Sequence, residues 1–280
     1  MRYWQYGLCS KSCDFILCLV LFFFVTMNAM SAWAEVDLKT GSYQKQYQDV
    51  VRLDSLNISL SRYYRSNSSY VGWFGLGWGS TFETQLTFMP DAIVLQESGH
   101  GKATWFQRGS DQGKMASQSV ATIRSFMQDN QSKKSDKWYQ SLREHASERL
   151  EQWQHAVGLG MAYDFVTTDS QKWETHGCAC HDLKAMPWGY RHTVNGILTH
   201  DFDSQGRLFR LWHKDKSFLQ LSYDLDAIRI EDKAGHGLQL SLNRQGRVDL
   251  ISSQNSQESY YIYGDRAVLL YSRNAKKKGF

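Results

Sequence analysis

The sequence predicts a mainly β protein: an antiparallel β-sheet of stacked hairpin repeats, interrupted by a helical insertion. Three observations predict it. Short segments alternate apolar and polar residues with a period of two, the mark of half-buried strands. In the C-terminal part, the apolar anchors Leu208, Ile228, Val248 and Val268 follow one another at twenty-residue intervals. A fixed period of that length signals supersecondary units that must stack, because one unit cannot bury its own face. Between these β regions, residues 110–158 turn to Gln, Ser, Lys, Glu and Ala with apolar residues at helical spacing.

Residues 1–34 read as a secretory signal peptide. Arg2 and Lys11 precede the apolar run Phe15–Val25, and Ala32-Trp33-Ala34 supplies a small-x-small site, which places cleavage after Ala34. The run is short for a bilayer span, and the rival reading is an uncleaved N-terminal anchor. No later run is long enough to span, so no membrane span is expected after cleavage. The leader implies export, to the periplasm or the extracellular space. It holds Cys9, Cys13 and Cys18, leaving only Cys178 and Cys180 beyond it. Two cysteines make no disulfide framework, so the core must hold the fold. The formal net charge of +4 is too small to argue for nucleic acid. The one dense basic run, Lys276–Lys278, reads as a solvated tail.

Residues 35–109 form a first β domain. Leu56, Ile58 and Leu60 alternate with polar residues, and Arg62-Tyr63-Tyr64-Arg65 follows. Next comes Gly72-Trp73-Phe74-Gly75-Leu76-Gly77-Trp78-Gly79. Glycine admits backbone angles and close approaches that other residues do not, while the aromatics need something to pack against. The stretch reads as a tight, aromatic-filled corner. It is no dinucleotide fingerprint, because bulky tryptophans sit where phosphates would approach and no βαβ unit surrounds it. A second strand would place Phe82, Thr84, Leu86 and Phe88 on one face and Glu83, Gln85 and Thr87 on the other. Ile93–Leu95 and Ala103–Phe106 then read as a hairpin around residues 98–102.

In the insertion, Ala116, Val120, Ile123 and Met127 make one helical stripe. Trp138, Leu142, Ala146, Leu150, Trp153 and Val157 make a second. Asp136 is the expected N-cap and Gly158 the expected stop. The pair reads as a helical hairpin laid on the β domain; the alternative is a helix that docks a partner or a membrane surface. Residues 159–280 return to β character, with Tyr163 and Phe165 alternating.

The C-terminal units echo one another. Phe202-Asp203-Ser204-Gln205-Gly206-Arg207-Leu208 is matched by Leu242-Asn243-Arg244-Gln245-Gly246-Arg247-Val248. These units resemble degenerate YD repeats of the RHS family, which read roughly Tyr-Asp-x-x-Gly-Arg-Leu. Tyr223-Asp224 and Tyr261-Ile262-Tyr263 supply further tyrosines of that kind. Upstream, Arg62-Tyr63-Tyr64-Arg65-Ser66 and the Gly72–Trp78 turn resemble the domain that precedes the repeats in RHS and polymorphic-toxin proteins. There, Arg-x-Tyr-x-Ser is followed by Gly-x-Phe-Gly-x-Gly-Trp. Arg62, Tyr64, Gly72, Phe74, Gly75, Gly77 and Trp78 carry the match. The resemblance implies a β-sheet shell, which in long members winds into a hollow cocoon around a C-terminal toxin. The roughly four units here are fewer than a cocoon needs, and the helical insertion is foreign to the pattern. A shortened relic of a longer toxin protein is a further expectation.

The main candidate for chemistry is His176-Gly177-Cys178-Ala179-Cys180-His181. His176, Cys178, Cys180 and His181 are four potential ligands for zinc or copper. Covalent haem wants two residues between the cysteines, not one. A disulfide between Cys178 and Cys180, or an intermolecular bond, suits an oxidising compartment, and inert thiols are the third option. His145 and Glu148 sit one helical turn apart on a charged face. Asp201, Asp203, Asp224 and Asp226 suggest calcium, but a turn role explains them more simply. No hydrolase elbow, His-Glu-x-x-His motif or phosphate loop occurs. The expectation is an exported, non-enzymatic binding or structural module with no resident cofactor. It would take an unknown protein or a surface glycan as partner and has sheet edges through which it can oligomerise. The alternative is a periplasmic metal-binding or thiol-redox protein.

Overall fold

The computed structural model describes residues 34–38, 41–50, 59–99, 101–107, 112–132, 134–162, 174–175, 180–253 and 258–273. The expected strand residues Leu56 and Ile58, and Tyr163 with Phe165, lie outside them.

Three antiparallel sheets carry the period-two segments. In the first, β1 (Ala34–Asp37), β2 (Ser42–Val50) and β3 (Leu60–Arg65) are joined by β6 (Trp78–Ser80), which returns beside β3 after the short β4–β5 hairpin (Val71–Gly72 and Gly75–Leu76). The second is the meander β7 (Gln85–Phe88), β8 (Ala92–Gln96) and β9 (Ala103–Gln107), with β10 (Glu174–Thr175) paired outside β9. The third has ten strands in sequence order, each antiparallel to the next: β11 (His181–Met186), β12 (Gly189–Val194), β13 (Leu198–Asp203), β14 (Leu208–Trp212), β15 (Phe218–Tyr223), β16 (Ala227–Glu231), β17 (Gly237–Leu242), β18 (Val248–Ser253), β19 (Glu258–Tyr263) and β20 (Leu269–Arg273). Among the described residues no sheet closes into a barrel.

The turns explain the repeat. Asp203 Oδ1 accepts the amides of Gln205 and Arg207, both at 2.9 Å, and Asn243 Oδ1 does the same for Gln245 and Arg247. A short carboxylate or amide thus fixes the turn from inside. Twenty residues beyond each turn, a tyrosine hydroxyl donates to a carbonyl of the preceding hairpin. Tyr223 bonds the Leu208 carbonyl at 2.6 Å and Tyr263 the Val248 carbonyl at 2.5 Å. Arg207 and Arg247 lie over those same two rings. Hairpins therefore recur every twenty residues, while the full side-chain motif recurs every forty.

One face of the ten-stranded sheet packs on the two N-terminal sheets. Phe82, Ile93, Leu95 and Phe106 meet Phe202, Leu221, Ile230 and Leu240 in one core. Leu208, Ile228 and Val248 are buried there as anchors, but Val268 is 44% exposed. Arg266 and Ala267 adopt positive φ in a single 3₁₀ turn before β20, which turns Ala267 inward in place of Val268.

The insertion folds as α1 (Gln112–Asp129), α2 (Asp136–Glu144) and α3 (Ala146–Gly158). Its stripe packs on the other face of the second sheet. Val120, Ile123, Leu142, Leu150 and Trp153 meet Met89, Ala92 and Val94 in a second core. At its centre Asp91 is buried, accepting from Arg149 Nε and Nη2 at 3.0 and 2.8 Å and from the Ser119 hydroxyl. Arg149 Nη1 also donates to the Leu142 carbonyl at 2.7 Å. That carbonyl would serve the next turn if the helix ran on, so the expected single second helix breaks at His145, which is extended (φ −109°, ψ 97°). The N-cap is Ser135, one residue before the expected Asp136. Val157, expected in the stripe, is exposed. Gly158 ends α3, and Gly160 turns the chain away at φ +99°. Among the described residues no helix is long and apolar enough to cross a membrane.

Candidate binding cleft and the glycine-aromatic corner

The corner is built around one buried cation. Arg62, on β3, is 1% exposed; its Nη2 donates to Asp49 Oδ1 at 2.8 Å, and its Nε also bonds that carboxylate. The guanidinium lies 4.8 Å from the Trp78 and Tyr261 ring centroids and 5.2 Å from that of Phe74. Delocalised charge and weak hydration suit arginine to such an aromatic cage. Tyr64 packs on Trp78 at 5.0 Å, and Phe74 meets Tyr261 edge-on at 5.1 Å. Gly77 takes two backbone bonds, donating to the Tyr70 carbonyl and accepting from Arg65 N–H.

This corner interlocks with the ten-stranded sheet. Val248 N–H donates to the Trp73 carbonyl at 2.9 Å, and Leu86 N–H to the Gly206 carbonyl at 2.8 Å. Gly75 sits at φ +96°, where a Cβ would lie 2.2 Å from the Ala267 carbonyl oxygen. Gly72 is as tight, because a Cβ there would lie 2.4 Å from Glu83 Oε1.

Glu83 closes the corner from below. The sequence pattern places it on the polar face of a strand, but β7 begins only at Gln85 and Glu83 is buried. Its Oε1 accepts Trp73 N–H at 2.6 Å and the Tyr70 hydroxyl at 3.1 Å. Burial pushes its carboxyl up to about 7, against the lowering effect of those bonds.

Of the cysteine-histidine cluster, His176 and Cys178 lie outside the described residues. Cys180 is disulfide-bonded, so its sulfur is not the thiolate that zinc or copper would take. His181 instead opens a row across three strands. Its Nδ1 lies 2.9 Å from His192 Nε2, and His192 Nδ1 lies 3.4 Å from His200 Nδ1, with the rings stacked. Burial holds His192 down to about 3, aided by its two histidine neighbours, and His200 to about 4. Because His192 faces its neighbours with different nitrogens, the three do not converge on one point. Among the described residues no group of three His, Cys, Asp or Glu is placed to hold a metal. Asp201 is buried and accepts from Arg191 and Trp212, while Asp224 pairs with Arg229, so both aspartates serve the sheet. His145 Nδ1 contacts the Ser141 carbonyl and hydroxyl, and Glu148 accepts from that hydroxyl.

A wide open space lies elsewhere. A cleft of about 1660 Å³ runs between α3, the edge strand β7, the β11–β12 turn and residues 67–71. Gln154 of α3 donates to Gln96 Oε1 at 2.5 Å and to the Thr87 hydroxyl at 3.1 Å, tying the helix to the sheet at the cleft wall. Ser69 donates to Glu151 at 2.7 Å across the cleft mouth. Trp188, 43% exposed, stands at the tip of the β11–β12 turn. None of this was visible in the sequence, because the lining comes from segments far apart in the chain.

Residues 34–105 match the family described as a domain of unknown function, DUF6531. The match runs from β1 into β9 and contains the corner apart from Tyr261. No curated protein matches the chain.

Proposed function

We propose that the chain is an exported, non-enzymatic binding module of RHS type. In it, the matched domain and the helical insertion frame a cleft on a scaffold of hairpin repeats. The cleft carries this reading: it is wide and open, and helix α3, strand β7, the β11–β12 turn and residues 67–71 wall it. The family of residues 34–105 is often associated with RHS and YD-repeat proteins, and the paired turns at Asp203 and Asn243 are what degenerate repeats of that kind would give. The family match begins at residue 34, where the leader is expected to end, which is in keeping with export and a mature start at Glu35.

The test is fractionation of producing cells followed by N-terminal sequencing and an activity screen on the exported protein. A start at Glu35 and no turnover of ester, glycoside or peptide substrates are expected. Reproducible turnover abolished by a substitution in the cleft would overturn the reading.

A further inference from the structure

We infer that a pocket between the β17–β18 turn and the 3₁₀ turn before β20 binds a free α-amino acid. The pocket lies apart from the cleft and does not depend on it. The two echoing turns of the ten-stranded sheet differ at one position. In the first, Asp203 Oδ1 fixes the turn while Oδ2 accepts from Arg207 Nε at 2.8 Å. In the second, Asn243 Oδ1 fixes the turn in the same way, but an amide has no second oxygen to give. Arg247 lies over Tyr263 as Arg207 lies over Tyr223. Its Nε is nevertheless buried without a hydrogen-bond partner among the described residues. A buried donor without an acceptor is costly. A carboxylate brought by a ligand supplies the acceptor that Asn243 does not.

There is room for one. A pocket of about 600 Å³ opens beside Arg247, a size that takes a compact small ligand. Arg266, Asp249 and Asp265 line it too. Among the described residues, none of these four charged groups is in an ion pair. A ligand with negative charge alone meets the two aspartates, and one with positive charge alone meets the two arginines. An α-amino acid carries both, a carboxylate for the arginines and an ammonium for the aspartates. Ile262, exposed at the rim, gives its side chain an apolar contact. Arg266 stands in the left-handed conformation (φ 54°), and so does Ala267 beside it (φ 65°). That conformation is unfavourable for a residue with a Cβ, and backbone held in this way clusters at ligand-binding sites.

The test is isothermal titration calorimetry on the full exported protein with L-leucine, L-phenylalanine, L-glutamate and L-lysine. The N-acetyl and carboxamide forms of each, and inorganic phosphate, are run beside them. Saturable binding of at least one amino acid is expected, with its N-acetyl and carboxamide forms at least tenfold weaker. Asn243→Asp gives the second turn the carboxylate of the first, so that Arg247 is satisfied from within. Its urea midpoint should hold or rise while amino-acid binding weakens at least tenfold. Arg266→Gly relieves the backbone and removes a cation, and the same pair of results is expected. No binding of any of the four amino acids overturns the proposal, as does binding unchanged in either variant. An N-acetyl form, a carboxamide or phosphate that binds as tightly as the free amino acid overturns it too. A lower urea midpoint for Asn243→Asp denies the unmet donor at Arg247 and also overturns it.

Discussion

Glu83 makes the corner sensitive to pH, and the sign is set by its burial. In the unfolded chain its carboxyl titrates near its ordinary value of 4.5; in the fold it titrates at about 7. Between those values the folded protein keeps a proton that the unfolded chain has released. The unfolded state then binds fewer protons, so this group's contribution to stability falls as pH rises from about 4.5 to 7 and is flat above. A displacement of that size corresponds to about 3 kcal/mol. Glu83→Gln keeps an oxygen to accept from Trp73 N–H and the Tyr70 hydroxyl, and removes the titration. Urea unfolding of both proteins at pH 4.5, 5.5, 6.5 and 8 reads the difference free of other titrating groups. The gap is expected to move in favour of glutamine by about 3 kcal/mol between pH 4.5 and 8. A gap that stays constant, or moves the other way, would refute the account of a buried protonated carboxyl at the corner.

Three further outcomes follow from the same geometry. Arg62→Met leaves Asp49 charged and buried, and should cost about 3–5 kcal/mol in urea unfolding; adding Asp49→Leu should recover much of that, and no recovery would deny the ion pair its role. Gly75→Ala should destabilise more than Gly246→Ala. Both glycines have positive φ, but a Cβ at Gly75 meets the Ala267 carbonyl while one at Gly246 meets nothing within 4 Å, so Gly246→Ala should cost only about 1–2 kcal/mol. His192 and His200 act opposite in sign to Glu83. Their folded values of about 3 and about 4 lie below the ordinary 6.5, so the unfolded state binds more protons and their contribution falls as pH drops from about 6.5 towards 4. His192→Gln should narrow the difference between urea midpoints at pH 4 and pH 7; an unchanged difference would contradict the depressed values of His192 and His200.

The sheet was legible because its signals are local. Period-two segments such as Leu238–Leu242 and the turn pair at Asp203 and Asn243 report on their own neighbourhood, and twenty-residue spacing fixes a meander. The stripe Val120–Ile123–Met127 likewise announced a buried helix face. Val268 misled because spacing alone does not show that the 3₁₀ turn before it shifts the inward position to Ala267. Glu83 misled for a related reason: the period of two was carried back beyond the start of β7, into a segment that is not strand. His145 broke a helix whose stripe runs on without a gap, because Arg149, held by Asp91 of the β7–β8 turn, takes the carbonyls at the end of α2. The cleft left no trace in the sequence, since β7, α3, the β11–β12 turn and residues 67–71 meet only in the fold.

The claim that the cleft is the working surface is tested most directly by a photo-crosslinking amino acid placed at position 188, with position 271 on β20 as comparison. In exported full-length protein irradiated in place, a discrete adduct from position 188 and none from position 271 is the expected result. Adducts from position 271 alone, or equal adducts from both, would contradict it.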